Sequence, residues 1–234
     1  MIMKTGNKRV LAIVQARMGA SRLPNKMMMW LHGYPIIEWV RQRVGKIEGV
    51  GDVVFALPDT HLDNVLAIFL EKKEEKIFRG DEADVLGRFR GAAMANNATH
   101  VVRICADNPF ISSRAIDDLI DFYFSNNCDY AYNHIPVKNT YPDGLGAEIV
   151  SMKILEALHI KAKKEEEREH IFNYIWNNPK DFSIKTLNPL NDAISFPDVK
   201  LDIDTIGDYL KFISLPLSME MEAEDIVRIY RKYS

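Results

Sequence analysis

Apolar positions in the first half of the chain fall into short continuous runs, separated by longer stretches with helical spacing. Residues 10–14, Val-Leu-Ala-Ile-Val, form one such run, as expected of a strand covered on both faces. Residues 53–57, closed by Pro58, residues 77–78 and residues 101–105 read as further strands. Between them, residues 35–44, 62–70 and 84–94 have the spacing of helices, and Pro35 suits a first helical turn. Ser112 or Ser113 can cap another helix, which carries Ile116, Leu119, Ile120 and Phe124 on one stripe. Strands alternating with helices of this length predict right-handed crossovers and a parallel sheet.

The second half is less regular. Residues 130–133 and 147–150 read as strands around a polar loop with Pro136, Pro142, Gly144 and Gly146. A charged helix is expected over 154–177, broken near Lys164, then strands at 183–187 and 199–203 and a closing helix at 224–230. No internal repeat, low-complexity segment or long linker interrupts the pattern. The expectation is one α/β domain spanning 1–234, with an irregular region at about 133–178.

Composition narrows the class. Among 234 residues, 47% are hydrophobic and 27% charged, which excludes a disordered chain, a collagen-like repeat and a disulfide-stapled miniprotein. A net charge of -3 gives no global basicity for nucleic acid, and aromatics do not interleave with a basic stripe. Locally the balance differs: Lys4, Lys8, Arg9, Arg17, Arg22 and Lys26 all precede the first acid, Glu38. Cys105 and Cys128 form no Cys-x-x-Cys and read as reduced thiols. The run at 10–14 is too short for a signal segment, and no stretch reaches the roughly 18 apolar residues of a membrane span. A cytoplasmic protein without membrane or nucleic-acid partners is expected.

The richest chemistry follows the first strand, in Gln15-Ala-Arg17-Met-Gly19-Ala-Ser21-Arg22-Leu-Pro24-Asn-Lys26. Ligands of open α/β sheets bind outside the carboxyl ends of strands. Gly19 lets backbone amides approach an anion, and the cations can bond phosphate oxygens. The loop is neither a Walker A nor a dinucleotide glycine pattern, and a solvated basic loop is the plainer alternative. A second feature is acidic. Asp107 follows residues 101–105, and Asp202 and Asp204, two apart on an extended stretch, share a face. Three carboxylates near a phosphate loop suit Mg²⁺, although Asp204-Thr205 equally suits a helix cap. Other chemistries leave no trace: there is no Gly-x-Ser-x-Gly, and no two of the six histidines have zinc-site spacing. Residues 163–167 read as a solvated helix face.

In this order, these segments resemble the cytidylyltransferases that activate acidic sugars. The likeness is to the spore coat polysaccharide biosynthesis protein F branch, related to the acylneuraminate and 3-deoxy-octulosonate cytidylyltransferases. The family opening Ile-x-x-Ala-Arg-x-x-Ser-x-Arg-Leu-Pro-x-Lys is matched by Ile13 to Lys26 almost position for position. The stretches from Phe78 to Arg88, Arg103 to Pro109 and Tyr141 to Glu148, with Arg168-Glu169-His170 and Leu201 to Thr205, complete the set.

The resemblance implies a nucleotide-diphospho-sugar transferase α/β/α sandwich with a mixed, mainly parallel sheet. It implies transfer of CMP from CTP to a 2-keto-3-deoxy sugar acid, with release of pyrophosphate, for surface polysaccharide. A glycosyltransferase on the same fold, or a non-catalytic relative, is the alternative. Arg17 and Lys26 would hold the triphosphate and act in catalysis, with Gly19, Ser21 and Arg22 on the same loop. Ala16, Arg79 and Asp84 would lie near the base and ribose, and Arg103, Glu148, Arg168 and His170 would face the sugar. Asp107, Asp202 and Asp204 would bind Mg²⁺. Two positions depart from the pattern: Ala106 replaces a glycine, and Gly146 stands where an acid is common. Relatives commonly form dimers, and a stripe of Ile171, Phe172, Ile175 and Trp176 needs burying, so a homodimer is expected across the irregular region.

Overall fold

The computed structural model describes residues 8–233; Lys4 of the basic opening lies outside them. Strands β1 (Val10–Gln15), β4 (Asp52–Pro58), β5 (Lys76–Gly80) and β6 (His100–Cys105) run parallel. Helices α1 (Ile36–Val44), α2 (Asn64–Glu71) and α3 (Val85–Ala95) connect them in turn. Three more strands, β7 (Tyr130–Tyr132), β8 (Glu148–Ser151) and β9 (Ile184–Thr186), extend the sheet to the order β5-β4-β1-β6-β8-β7-β9. Only β8 runs against the rest, so the sheet is mixed and mainly parallel. After β1 the chain builds β4 and β5 on one side, then returns to place β6 on the other. The reversal puts a crevice at the carboxyl ends of β1 and β6.

Period-two alternation along a strand sends neighbouring side chains to opposite faces. Val10, Ala12 and Val14 therefore enter one core, with Trp39 of α1 and with Ile116 and Leu119 of α4 (Ser113–Ser125). Leu11 and Ile13 enter the other, with Phe89 of α3 and Leu155 of α5 (Met152–Lys161). Two cores, one on each face of the sheet, make the three layers. Among the described residues no helix is long and apolar enough to cross a membrane.

Four features differ from the sequence reading. A hairpin, β2 (Trp30–Leu31) with β3 (Tyr34–Pro35), precedes α1, turning through His32 and Gly33 at φ 47° and 87°. Positive φ at both turn positions matches the twist of paired strands, and glycine adopts it freely. Trp39 fixes the hairpin by donating from Nε1 to the Leu31 carbonyl at 2.8 Å. The helix expected over 154–177 is three pieces: α5, α6 (Glu165–Glu169) and α7 (Asn173–Asn177). Ala162 and Lys164 are extended, and the Glu167 carboxylate accepts from the Lys163 and Lys164 amides, starting α6 afresh.

Residues 199–203 do not join the sheet. Val199, Leu201 and Ile203 are buried as in a strand, but their backbone neighbours are loops: Leu201 N donates to Asp143 O and Ile203 N to Asp107 O. Finally, Ile171, Phe172 and Ile175 are covered by the chain itself, within the core that holds Phe89 and Leu155. That stripe therefore supplies no argument for a partner. Helices α8 (Ile206–Ser214) and α9 (Ala223–Tyr233) close the fold.

Gly146 has a steric cause. A Cβ there would lie 2.2 Å from Asn133 Oδ1 and 2.3 Å from Asn133 O. Asn133 is fully buried and ties β7 to its surroundings, accepting from Ala147 N and donating to Ala115 O. An acid cannot fit at this position. Gly146→Ala should destabilise the protein by about 1–3 kcal/mol, read as a lowered urea midpoint. An unchanged midpoint would mean that the approach is not tight.

Candidate functional site

β1 is apolar up to Gln15, and its exit loop is pinned at once. Met18 N donates to the buried carboxylate of Asp63 at 2.7 Å, and Asn25 N closes the loop on Met18 O at 2.9 Å. A single turn of 3₁₀ helix at Lys26–Met28 then points the Lys26 side chain inward, where it is buried. Its ammonium donates to Ile203 O at 2.7 Å and Asp204 Oδ1 at 3.1 Å, and lies 3.5 Å from Asp107 Oδ2. One cation thus joins the ends of β1 and β6 to the stretch before α8.

The two readings of Asp204 separate here. Thr205 caps α8, and Asp208 accepts from the Asp204 and Thr205 amides, which leaves the Asp204 carboxylate for Lys26 and for Arg22 at 2.6 Å. Burial opposes its charge, but Lys26 first and then Arg22 hold its pKa below the ordinary value. Asp202 does not converge with the other two. It pairs with Lys200 at 3.2 Å and keeps one oxygen buried without a partner. Burial, with Asp143 and Asp204 adding repulsion, pushes its pKa up to about 6. Among the described residues no three His, Cys, Asp or Glu side chains form a metal cluster of their own.

Two cavities open at this end of the sheet. The first, about 200 Å³, is walled by Ala16, Arg17, Ser21, Arg22, Lys26, Asp107 and Asp204, together with Arg103 and His170. The second, about 300 Å³, is walled by His134, Glu148, Phe172, Asn173 and Trp176, again with Arg103 and His170. Arg103 is fixed by Gln15 at 3.2 Å and by Glu148, which also accepts from Tyr130 Oη at 2.5 Å. Burial disfavours the Glu148 charge, yet His134 and Arg103 keep its pKa below the ordinary value.

Five of the expected site residues lie outside these walls. Arg79 holds the exit of β4, bonding Asn64 at 2.6 Å and Thr60 O at 2.7 Å. Gly19 packs near the Glu82 carboxylate. Asp84 caps α3 through Gly87 N at 2.8 Å and bonds Arg168, which also reaches His159 O at 3.1 Å. Asp84 and Arg168 thus satisfy each other and fasten α6 to α3. Asp202 is the fifth, held by Lys200. Sequence reasoning missed Gln15, His134 and Trp176 as walls of the cavities and Asp63 as the residue that pins the loop. A polar residue ending a buried strand was the available signal for Gln15; Asp63 and His134 carry none.

The chain matches the family described as cytidylyltransferase over residues 11–223. The spore coat polysaccharide biosynthesis protein SpsF of Bacillus subtilis (strain 168) is 31% identical over 205 residues, covering 86% of this chain and 83% of that protein. A solved cytidylyltransferase from Leptospira borgpetersenii serovar Hardjo-bovis has a TM-score of 0.86 at 28% identity, covering 96% of this chain and 94% of its own. CMP:2-keto-3-deoxy-manno-octonic acid synthetase, solved with CTP, has a TM-score of 0.67 at 15% identity, covering 88% and 98%.

The ion pairs give a signed prediction. A carboxyl whose folded pKa is lowered adds stability above its unfolded pKa and loses it as the pH falls through the folded value. Lys26→Met should cost about 1–3 kcal/mol near neutral pH. The gap to the unmodified protein should narrow below about pH 4. Urea midpoints at both pH values check this; a gap that is absent at neutral pH, or wider in acid, contradicts it.

Proposed function

The chain belongs to the cytidylyltransferase family, whose chemistry is transfer of the cytidylyl group of CTP, and we propose that the acceptor here is a 2-keto-3-deoxy sugar acid. The observation that carries this reading is the pair of cavities sharing Arg103 and His170. The first offers cations from a pinned loop, as a triphosphate requires. Apart from Arg103, the second is walled entirely from residues 134–176, so the irregular region and the parallel half form one catalytic unit.

Each residue then has a task. Arg17 and Lys26 face the triphosphate and stabilise charge as it builds on the leaving pyrophosphate; Ala16, Ser21 and Arg22 line the same cradle. Lys26 lies 3.5 Å from Asp107 and 3.1 Å from Asp204, so it is held in position before substrate arrives. The sugar hydroxyl attacks the α-phosphorus from the second cavity, and catalysis is chiefly positioning and charge neutralisation. Asp107 and Asp204 fit a magnesium ion that arrives with the nucleotide, because Mg²⁺ takes one or two carboxylates and completes its shell with phosphate oxygens and water. When bound, it would neutralise triphosphate charge. Asp202, paired with Lys200, stands outside that pair.

The acid is supported by Arg103. Its Nε and Nη1 are committed to Gln15 and Glu148, leaving Nη2 for a carboxylate, while Glu148, His134 and Asn173 suit hydroxyl or amide groups. A sugar phosphate would add two negative charges beside cations already shared with Asp107 and Asp204. The name of the Bacillus subtilis relative supports a role in surface polysaccharide synthesis.

The test is pyrophosphate release over four nucleoside triphosphates, each with N-acetylneuraminate, 3-deoxy-manno-octulosonate and a hexose 1-phosphate. CTP with a keto acid should turn over, and EDTA should abolish turnover. Use of the sugar phosphate alone would overturn the acceptor, and activity undiminished by EDTA would overturn the metal.

A further inference from the structure

Arg103 and His170 are the residues common to both cavities, so they border the place where an acceptor hydroxyl in the second would approach a phosphorus in the first. Transfer releases a proton from that hydroxyl. Arg103 cannot take it, because a guanidinium stays protonated in proteins. His170 can: a neutral imidazole keeps one nitrogen free to accept a proton, the residue is exposed, and neither ring nitrogen has a partner among the described residues.

The backbone around His170 is fastened on both sides. Its own amide donates to Glu166 O at 3.0 Å, and Asn173 N donates to His170 O at 2.8 Å. One residue earlier, Glu169 lies 3.8 Å from Arg17; two earlier, Arg168 bonds Asp84. These anchors hold an unengaged imidazole at the junction.

Resting on the cytidylyl-transfer reading, we propose that His170 is the general base of the reaction. An imidazole nitrogen accepts the proton of the acceptor hydroxyl as its oxygen bonds to the α-phosphorus. The bond from the α-phosphorus to the bridging oxygen breaks, and its electron pair leaves on pyrophosphate. The proton stays on the imidazolium until it passes to water. The charged and titratable groups facing His170 are Arg17, Arg103, His134 and Glu148, with Glu169 beside it. Arg22, Lys26, Cys105, Asp107 and Asp204 line the first cavity as well. His134 is no substitute: it lines only the second cavity, and burial lowers its pKa.

The experiment compares the unmodified protein with His170→Gln and His170→Asn from about pH 5 to about pH 9, following pyrophosphate released from CTP. The nucleophiles are N-acetylneuraminate, 3-deoxy-manno-octulosonate and, as a sugar-free control, water. Both variants should lose about 10²- to 10⁴-fold in kcat and lose the acidic limb of kcat/KM. KM for CTP should stay within about threefold, with Tm unchanged. A kcat within about threefold of the unmodified protein, or a loss that leaves the acidic limb in place, overturns the base assignment alone. Absence of pyrophosphate from the unmodified protein with every nucleophile overturns the transfer reading and this inference with it.

Discussion

A single buried ammonium organises this molecule. Lys26 Nζ bonds the Ile203 carbonyl and Asp204 and lies within 3.5 Å of Asp107, so three chain segments remote in sequence meet on one charge. An unpaired cation in that position would carry a large desolvation cost, and the two carboxylates remove it. Arg22 adds a second cation to Asp204 from the same loop. The charges are therefore in place before any ligand binds, and little reorganisation is left for the reaction itself.

The site lies where the topology reverses direction, at the ends of β1 and β6. The parallel half supplies the loop and Asp107. The irregular half supplies the opposite wall, held in register by the buried set of Arg103, Glu148 and Tyr130. The link between Asp84 and Arg168 fastens α6, and hence the chain leading into His170, to the start of α3. The two cavities thus draw on the two halves of one sheet and share Arg103.

Much of this was legible in the sequence, for identifiable reasons. β1 and most of β4 are buried on both faces and read as continuous apolar runs, and β6 is one interrupted by Arg103; the loop after β1 announced itself by concentrating cations before the first acid. What stayed hidden depends on partners distant along the chain. Residues 199–203 have a strand's pattern but lie against loops, which no periodicity reports. Asp202 and Asp204 share a face in sequence, yet Lys200 claims one and Lys26 the other. Asp84 and Arg168, 84 positions apart, satisfy each other, and Gly146 is glycine because Asn133 fills the space above it.

The central claim is that the loop from Ala16 to Lys26 cradles the triphosphate and presents its α-phosphorus to the junction of the two cavities. A crystal structure with magnesium and a CTP analogue carrying methylene between the α- and β-phosphorus tests it most directly. The account predicts β- and γ-phosphate density against Arg17 and Lys26, with the α-phosphorus between Arg103 and His170. Triphosphate density away from Lys26, or an α-phosphorus shielded from the second cavity, would contradict it.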